Sequence, residues 1–423
     1  MRHRVVIIGA GFAGLSAATQ IPEEHEVTVL SRHPWCEFLP NIHELVSGQK
    51  QTQDLRLDAK GRIESLGHRF VLDEVVEIDV HGRAVRARST GTHPFDVLIV
   101  AGGGVNATAG VAGAERAMPF KSVEDCARIH DRLRDVAMDA SQGRVVVVGG
   151  GLEGVEALGE VLRAFPRLRI DVIDGAPRLM SNEPASLDQT IRRECEPFDV
   201  TLSVGTTVAE VRADGVVTGD DRLVPSDVTI WTGGPAGAPL LFDSGLATRL
   251  GGWAPVTPTL ESMRAAGVFV VGDAAQLDDP VTKQAYHAID MGLCAGTNAG
   301  RFLAGESCEP FSPAEKPTLV SFGHLGCFLV VGEWAVFGRA VSIAKEAVFQ
   351  LVSAQLVPPV DVSTTMKSFR RLTGSLPELS WPSLWVVWQG LLGAMDVRVL
   401  PPTSRGSKDD RGGNGGLWSW PSV

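Results

Sequence analysis

Short β-branched runs that stop on glycine set the pattern of this chain. Arg4-Val5-Val6-Ile7-Ile8 and Arg144-Val145-Val146-Val147-Val148 are unbroken apolar stretches behind one arginine, which predicts strands buried on both faces, as in a parallel sheet. Each passes through a glycine turn into a helical stretch, Leu15-Ser16-Ala17-Ala18-Thr19 in one case and Val155 to Leu162 in the other. Glu26 to Leu30, Arg169 to Asp174, Phe95 to Val100 and Val268 to Val271 repeat the strand signal. A further helix is expected from about Thr282 to Ala304. Between Ala335 and Leu356, Phe337, Val341, Ala344, Val348, Leu351 and Val352 share one helical face, with Arg339, Lys345, Glu346 and Gln350 elsewhere, so an amphipathic helix is predicted there. Alternating buried strands and helices predict an α/β fold.

The glycines between strand and helix carry the first chemistry. They read Gly9-Ala10-Gly11-Phe12-Ala13-Gly14 and, 140 residues later, Gly149-Gly150-Gly151-Leu152-Glu153-Gly154. In such a turn the first glycine allows the tight bend, the second lets backbone approach a pyrophosphate, and the third lets helix and strand pack closely. Free N–H groups at the helix start favour the anion. Two such units predict two dinucleotides held by one protein. In the second unit the following strand ends on Asp174, 25 positions beyond Gly149. A carboxylate there accepts from a ribose 2′-OH and repels a 2′-phosphate, favouring NADH over NADPH. In the first unit Ser31 stands where that acid is expected, leaving adenosine anchoring to Ser31, Arg32 and backbone.

A third signal separates a flavin from a second nicotinamide. Val268 to Val271 runs into Gly272-Asp273, and Phe95 to Gly103 is another strand ending on glycine. With the first glycine turn, these elements resemble the fingerprints of the two-dinucleotide-binding-domain flavoproteins, the pyridine nucleotide-disulfide oxidoreductase superfamily. The resemblance implies an α/β fold of two Rossmann-like domains, a FAD domain with an inserted NAD domain, plus a C-terminal helical or α+β segment. It implies a FAD domain over residues 1–116 and 253–320, an NAD(H) domain over 117–252, an amphipathic or interface region over 321–400 and a flexible tail over 401–423. FAD contacts are implied for Gly9, Gly11, Phe12, Ala13, Gly14, Ser31, Arg32, Pro40, Val75, Ala101, Gly102, Gly272, Asp273, whose carboxylate would bind the ribitol, and Lys283. NAD contacts are implied for Gly149, Gly151, Leu152, Glu153, Gly154, Asp174, Gly233 and Gly234. The six cysteines contain no CxxC or CxxxxC pair, so the local redox pair of a disulfide reductase is missing; they read as reduced thiols, and no metal site is expected.

The finer resemblance, over residues 1 to about 305, is to type II NADH:quinone oxidoreductases. Glu37 to Gly48 is similar to that family's segment beneath the flavin, Met118 to Ile129 to its entry into the NAD domain, and Gly149 to Glu156 to its nicotinamide motif. The resemblance implies that Glu156 lies near nicotinamide and flavin. The family's Ala-Gln-x-Ala-x-Gln-x-Gly stretch is here Ala285-Tyr286-His287-Ala288-Ile289-Asp290-Met291-Gly292. Tyr286, the only tyrosine, and Asp290 replace both glutamines. By that alignment Tyr286 is expected to stack on or donate to an acceptor, Asp290 to relay a proton, and Lys283 in the first helical turn to stabilise reduced flavin. The implied activity is NADH oxidation through FAD by a quinone or quinone-like acceptor. A soluble flavoenzyme acting on a specialised metabolite, and a flavin-bound redox sensor or interaction protein, stay open as alternatives.

Composition narrows the partners. The chain has 423 residues and a net charge of −11, which disfavours nucleic acid. No signal peptide is evident and no stretch approaches the roughly 20 apolar residues of a spanning helix. A cytoplasmic protein is therefore expected. The amphipathic helix and the tryptophan-rich Trp381 to Leu392 leave peripheral membrane contact and a homodimer interface open.

Overall fold

The computed structural model describes residues 2–108, 110–139, 143–314, 316–358 and 397–400. The chain opens as β1 (Arg4–Ile8), α1 (Phe12–Ala18), β2 (Glu26–Ser31), α2 (His43–Val46), β3 (Arg69–Leu72) and β4 (Val97–Val100). It continues through β5 (Met118–Pro119), α3 (Val123–Asp139), β6 (Arg144–Val148), α4 (Leu152–Ala164), β7 (Arg169–Asp174), β8 (Val200–Val204) and β9 (Val228–Trp231). It then returns as β10 (Val268–Val270) and α5 (Ala285–Leu303) and closes with β11 (Thr318–Phe322), β12 (Gly326–Val331), β13 (Trp334–Gly338), α6 (Arg339–Leu356) and β14 (Val397–Leu400).

Two parallel sheets follow from the two apolar repeats. The first has strand order β10-β4-β1-β2-β3 and the second β5-β9-β6-β7-β8. In both, the glycine-ending strand is central, and from it the chain builds outward on one side before crossing to the other; in the second sheet β5 precedes it in the chain and lies at the far edge. That reversal leaves a crevice beyond the strand ends, where α/β sheets bind ligands. The leading arginine of each central strand is exposed and the four residues after it are buried. Even the strand entries match: the backbone N–H of Arg4 donates to Asp96 at 2.7 Å and that of Arg144 to Asp227 at 2.8 Å. The Arg4 guanidinium beside Asp96 also holds that carboxyl below its usual range.

The two sheets are stitched together rather than merely joined in sequence. Gly104–Asn106, leaving the first sheet, pairs antiparallel with Pro235–Gly237, returning from the second. A three-stranded antiparallel sheet is inserted into each unit, Val75–Asp79 with its two successors in the first and Val208–Arg212 with its two in the second. Helix α5 lies across α1 at backbone contact: a Cβ on Gly292 would run into Ala13, and one on Gly296 into Ala17. Small residues at that spacing seat the start of α5 beside the first glycine turn.

The C-terminal segment is an antiparallel sheet, β11-β12-β13-β14, with α6 packed on it. It docks on α4 through glycines, since a Cβ on Gly159 would lie 2.5 Å from the Phe322 carbonyl carbon and 2.6 Å from the Gly323 nitrogen. The amphipathic helix begins at Arg339, four residues later than its apolar pattern suggested, because Phe337 pairs in β13. Its inward stripe is Val341, Lys345, Phe349, Val352 and Leu356. Lys345, placed on the polar side by pattern alone, is therefore buried. Among the described residues no helix is long and apolar enough to cross a membrane. The tryptophan-rich segment and the tail over 401–423 lie outside the described residues.

Gly159→Ala tests the docking. Alanine gains about 1 kcal/mol of helix propensity over glycine, but the added methyl must displace backbone, an overpacking cost of about 1–3 kcal/mol. A lower unfolding midpoint is expected in denaturant titration; an unchanged or raised midpoint would contradict the close approach.

Candidate active site

One cavity of about 1000 Å³ opens where the first sheet, α4 and α6 meet. Its floor is the first glycine turn. Gly9 has φ +97°, and a Cβ on it would lie 2.5 Å from Ala101 O; a Cβ on Gly14 would strike the Gly9 carbonyl. Gly11 differs, because a Cβ there would meet no protein atom within 4 Å. Packing within the protein fixes the outer two glycines, whereas the middle one faces open space. The start of α1 has no side-chain cap, so its first N–H groups face that space as well. This cradle fits the pyrophosphate of a dinucleotide.

Eleven further residues expected on the flavin side line this cavity: Phe12, Ala13, Ser31, Arg32, Pro40, Val75, Ala101, Gly102, Gly272, Asp273 and Lys283. Burial raises the Asp273 carboxyl above its usual range, against the opposing pull of Lys283 and Lys121. Lys283 lies ahead of α5 rather than in its first turn, since the helix starts at Ala285. Its ammonium donates to the carbonyls of Asp273 at 2.9 Å and Ala275 at 2.6 Å, over the Trp253 ring. The strand-end turn also supplies residues that sequence reasoning missed. Trp35 stacks on His33 with ring centroids 5.2 Å apart, and the Arg56 guanidinium lies 4.3 Å from the Trp35 ring. Both rings border the cavity, and the buried Trp35 Nε1 has no hydrogen-bond partner among the described residues.

The second glycine turn repeats the first. Gly149 has φ +109° and sits against Thr232, the third glycine Gly154 packs on the Gly149 carbonyl, and a Cβ on Gly151 would meet nothing. Asp174 ends β7, where its carboxylate accepts from the backbone N–H of Gly150 and, at 2.6 Å, of Ala176. Leu152, Glu153 and Glu156 at the start of α4 border the large cavity, whereas Gly149, Gly151, Gly154, Asp174, Gly233 and Gly234 do not. Glu153 pairs with Lys121 at 2.7 Å. The two cradles thus face the cavity asymmetrically: the first opens into it along its length, the second presents only the first turn of its helix.

Glu156 is where the C-terminal segment meets that turn. Its Oε1 accepts from Lys345 Nζ on α6 and, at 3.1 Å, from the Ser321 N–H on β11, while its Oε2 lies 3.4 Å from Nδ1 of His43 on α2. Lys345 Nζ is also 3.5 Å from His43 Nε2. All three side chains are buried. Burial raises the Glu156 carboxyl, and Lys345 and the Ser321 N–H pull it back. Burial also opposes charge on Lys345, but the Glu156 carboxylate outweighs it and keeps the ammonium. Burial, reinforced by Lys345, pushes His43 well below the usual histidine range, so it is neutral.

Tyr286 is half-buried and borders the cavity, with burial raising its phenol against the opposing pull of Lys345. Asp290 does not share that position. It pairs with Lys316 at 3.0 Å and lies outside the cavity, because four residues carry it about 6 Å down the helix axis from the cavity mouth.

This geometry agrees with known proteins. The family described as pyridine nucleotide-disulphide oxidoreductase matches residues 3–292. The chain belongs to that family. A type II NADH:quinone oxidoreductase of Staphylococcus aureus (strain NCTC 8325 / PS 47) is 25% identical over 384 residues, covering 82% of this chain and 94% of that one. Among solved structures, NDH2 from Plasmodium falciparum in complex with NADH superposes with a TM-score of 0.75 at 14% identity, covering 85% of this chain and 95% of that one. The sulfide:quinone oxidoreductase of Aquifex aeolicus superposes with a TM-score of 0.69 at 14% identity, covering 87% and 95%. At such identities the structural likenesses speak to fold alone. Family and relatives together make the chain an NAD(P)H oxidoreductase of the flavin-dependent kind.

Membership does not bring the disulphide of the family's description. All six cysteines are free. Cys36 borders the cavity, buried, with its thiol pushed up to about 12 by burial. A thiol held neutral is a poor nucleophile and a poor redox partner.

Glu160, one turn beyond Glu156, is the other acid in the interior of α4. It is fully buried, with Arg163 Nε 3.4 Å from Oε2, and burial raises its pKa to about 7. The folded state therefore binds a proton that the unfolded chain releases above about pH 4.3, so Glu160 costs stability increasingly from there to about pH 7. Glu160→Gln is expected to leave stability nearly unchanged at pH 4 and raise it by roughly 3 kcal/mol at pH 8. Denaturant midpoints at the two pH values measure this; equal effects at both would contradict the raised pKa.

Proposed function

We propose that this protein is a FAD-dependent NADH oxidoreductase that passes electrons to a quinone or quinone-like acceptor. FAD lies on the first cradle, with its pyrophosphate on Gly11 and the start of α1, its adenosine end toward Ser31, Arg32, His33 and Trp35, and its ribitol by Asp273. NADH lies on the second cradle, with Asp174 at the adenosine ribose and its nicotinamide reaching the cavity past Leu152 and Glu153. One observation carries the reading: the turn of α4 that leads the second cradle borders the same cavity on which the first cradle opens. FAD, when bound, supplies the two-electron carrier between nicotinamide and acceptor.

The chain's own residues do the rest by position and charge. Glu156 accepts from the nicotinamide carboxamide and fixes which ring face is presented. It can do so because Lys345 and the Ser321 N–H occupy Oε1, leaving Oε2, near His43, the less committed oxygen. Val348, Phe349 and Val352 of α6 border the cavity with Lys345 and keep water from the reacting groups. Phe349 stands edge-on to Phe38 with centroids 4.6 Å apart, and Phe38 in turn to Phe12 at 5.4 Å, so α6 packs onto the flavin floor through an aromatic ladder. Tyr286, which borders the cavity at the start of α5, is placed to meet a flat acceptor and donate to its carbonyl. The S. aureus relative's name supports quinone as that acceptor.

Peripheral contact with a membrane is part of the same proposal. The outward side of α6 exposes Ile343 and Leu351, and Trp334 on β13 is exposed nearby in sequence. Apolar side chains so placed suit contact with the surface where a lipophilic quinone resides.

Two measurements test the proposal. Purified protein reconstituted with FAD is expected to oxidise NADH with a short-chain quinone, and NADPH far more slowly; NADH consumption that no quinone accelerates would remove the acceptor assignment. Asp174→Arg is expected to shift kcat/KM toward NADPH by at least tenfold, through loss of the ribose acceptor and gain of a phosphate partner. An unchanged preference would take Asp174 away from the ribose.

A further inference from the structure

A solvent proton has to enter the protein for the proposed reaction to balance. In NADH + H⁺ + Q → NAD⁺ + QH₂, the C–H bond broken on the nicotinamide delivers two electrons and one proton. Both quinone oxygens become O–H, so the second proton comes from water. On the α4 side both Glu153 and Glu156 border the cavity, and of the two Glu156 is the buried acid.

Glu160 lies directly behind it. Positions four apart on a helix are neighbours, about 5–6 Å between Cβ atoms. Glu160 is 0% exposed, and neither carboxylate oxygen has a well-formed hydrogen bond among the described residues. The groups facing it are Glu156 and Arg163 on its own helix and Glu44 and the Ser47 hydroxyl from α2 and its end. Ser47 is half-buried and its neighbours Gly48 and Gln49 are exposed; Arg163 reaches the surface and donates to Gln49. A fully buried acid whose oxygens face only a hydroxyl and one guanidinium, neither in a well-formed hydrogen bond, is costly structural material, since an apolar side chain of similar size would cost less there. Its position between a surface hydroxyl and the acid at the cavity wall gives it another use.

We propose that Glu160 is the proton relay of this enzyme, taking a proton from water at Ser47 and passing it to Glu156 at the cavity. In each turnover the Glu160 O–H bond breaks as an O–H bond forms on Glu156, and water arriving past Ser47 restores the first. From Glu156 the proton reaches the acceptor directly, or Lys345, which also borders the cavity, gives a proton to the acceptor and is reprotonated by Glu156, while neutral His43 orients the ammonium and takes no proton. The Lys345 ammonium has only donors to offer, so His43 Nε2 is the acceptor and the ring proton sits on Nδ1, 3.4 Å from Glu156 Oε2. The pKa near 7 that burial gives Glu160 suits a group that must both hold and release a proton near neutrality. The relay rests on the reading that the acceptor is reduced in this cavity.

Two readouts test it. In anaerobic stopped-flow work on the FAD-loaded protein, Glu160→Gln is expected to be reduced by NADH within twofold of wild type. Reoxidation by a short-chain benzoquinone is expected to slow at least tenfold, with loss of the wild-type decline in rate above about pH 7 and a larger solvent deuterium isotope effect. Glu160→Asp is expected to recover part of the rate. Infrared spectra of wild type are expected to show a protonated-carboxyl carbonyl band that titrates near neutrality and is absent from Glu160→Gln. Wild-type reoxidation rate and pH profile in Glu160→Gln, or no such band, would overturn the relay while leaving the quinone reductase reading in place. If NADH failed to bleach the wild-type flavin, or no quinone reoxidised it, that reading would fall and take the relay with it.

Discussion

The buried contact between Glu156 and Lys345 is the constraint on which the site depends. Taking a carboxylate and an ammonium out of water is costly, and their attraction offsets that cost only when geometry is good and the remaining polar atoms are satisfied. Here the Ser321 N–H shares Oε1 and His43 Nε2 faces the Lys345 ammonium, while Oε2 has only His43 Nδ1 nearby at 3.4 Å. The contact fixes three things together: the register of α6 on α4, the place of β11 against the second unit, and the wall of the cavity. Hydrophobic residues of similar volume would hold these elements as firmly. A charged pair at this spot is better understood as function, because it leaves an oriented carboxylate at the point where the two cradles converge.

That convergence is a product of repetition with one difference. Both parallel units bend at a glycine held at positive φ, both pack the third glycine on the first, and both leave the middle glycine facing open space. A single unit makes one anion cradle. Stitched by the antiparallel pair Gly104–Asn106 and Pro235–Gly237, the two units present one cradle lengthwise and only the leading helical turn of the other. The C-terminal sheet, resting on Gly159, then closes the space over both.

How much of this was legible in the sequence depended on how local the determinant is. The strands, the glycine turns and Asp174 were readable because each is specified within a few residues: β-branched runs, a backbone conformation that excludes side chains, an acid at a strand end. Lys345 was not. Its partner is 189 residues away, and the apolar pattern put it on the polar side, whereas the helix turns it inward with Val341, Phe349, Val352 and Leu356 toward Glu156. His43, 302 residues from Lys345, was hidden for the same reason. Tyr286 and Asp290 were paired because they stand where the resembled family has its two glutamines, but the cavity touches only the start of α5, so distance along the axis separated them. The two acids of α4 were a missed signal, since Glu156 and Glu160 recur one turn apart in an otherwise apolar stretch.

Two nucleotides on these cradles would meet in the cavity beside Glu156. A crystal structure of the protein with FAD and NAD⁺ tests this most directly. The account predicts the flavin on the first cradle and the nicotinamide stacked on it, its carboxamide within hydrogen-bond distance of Glu156. Nicotinamide density remote from Glu156, with the flavin bound on the first cradle, would contradict it.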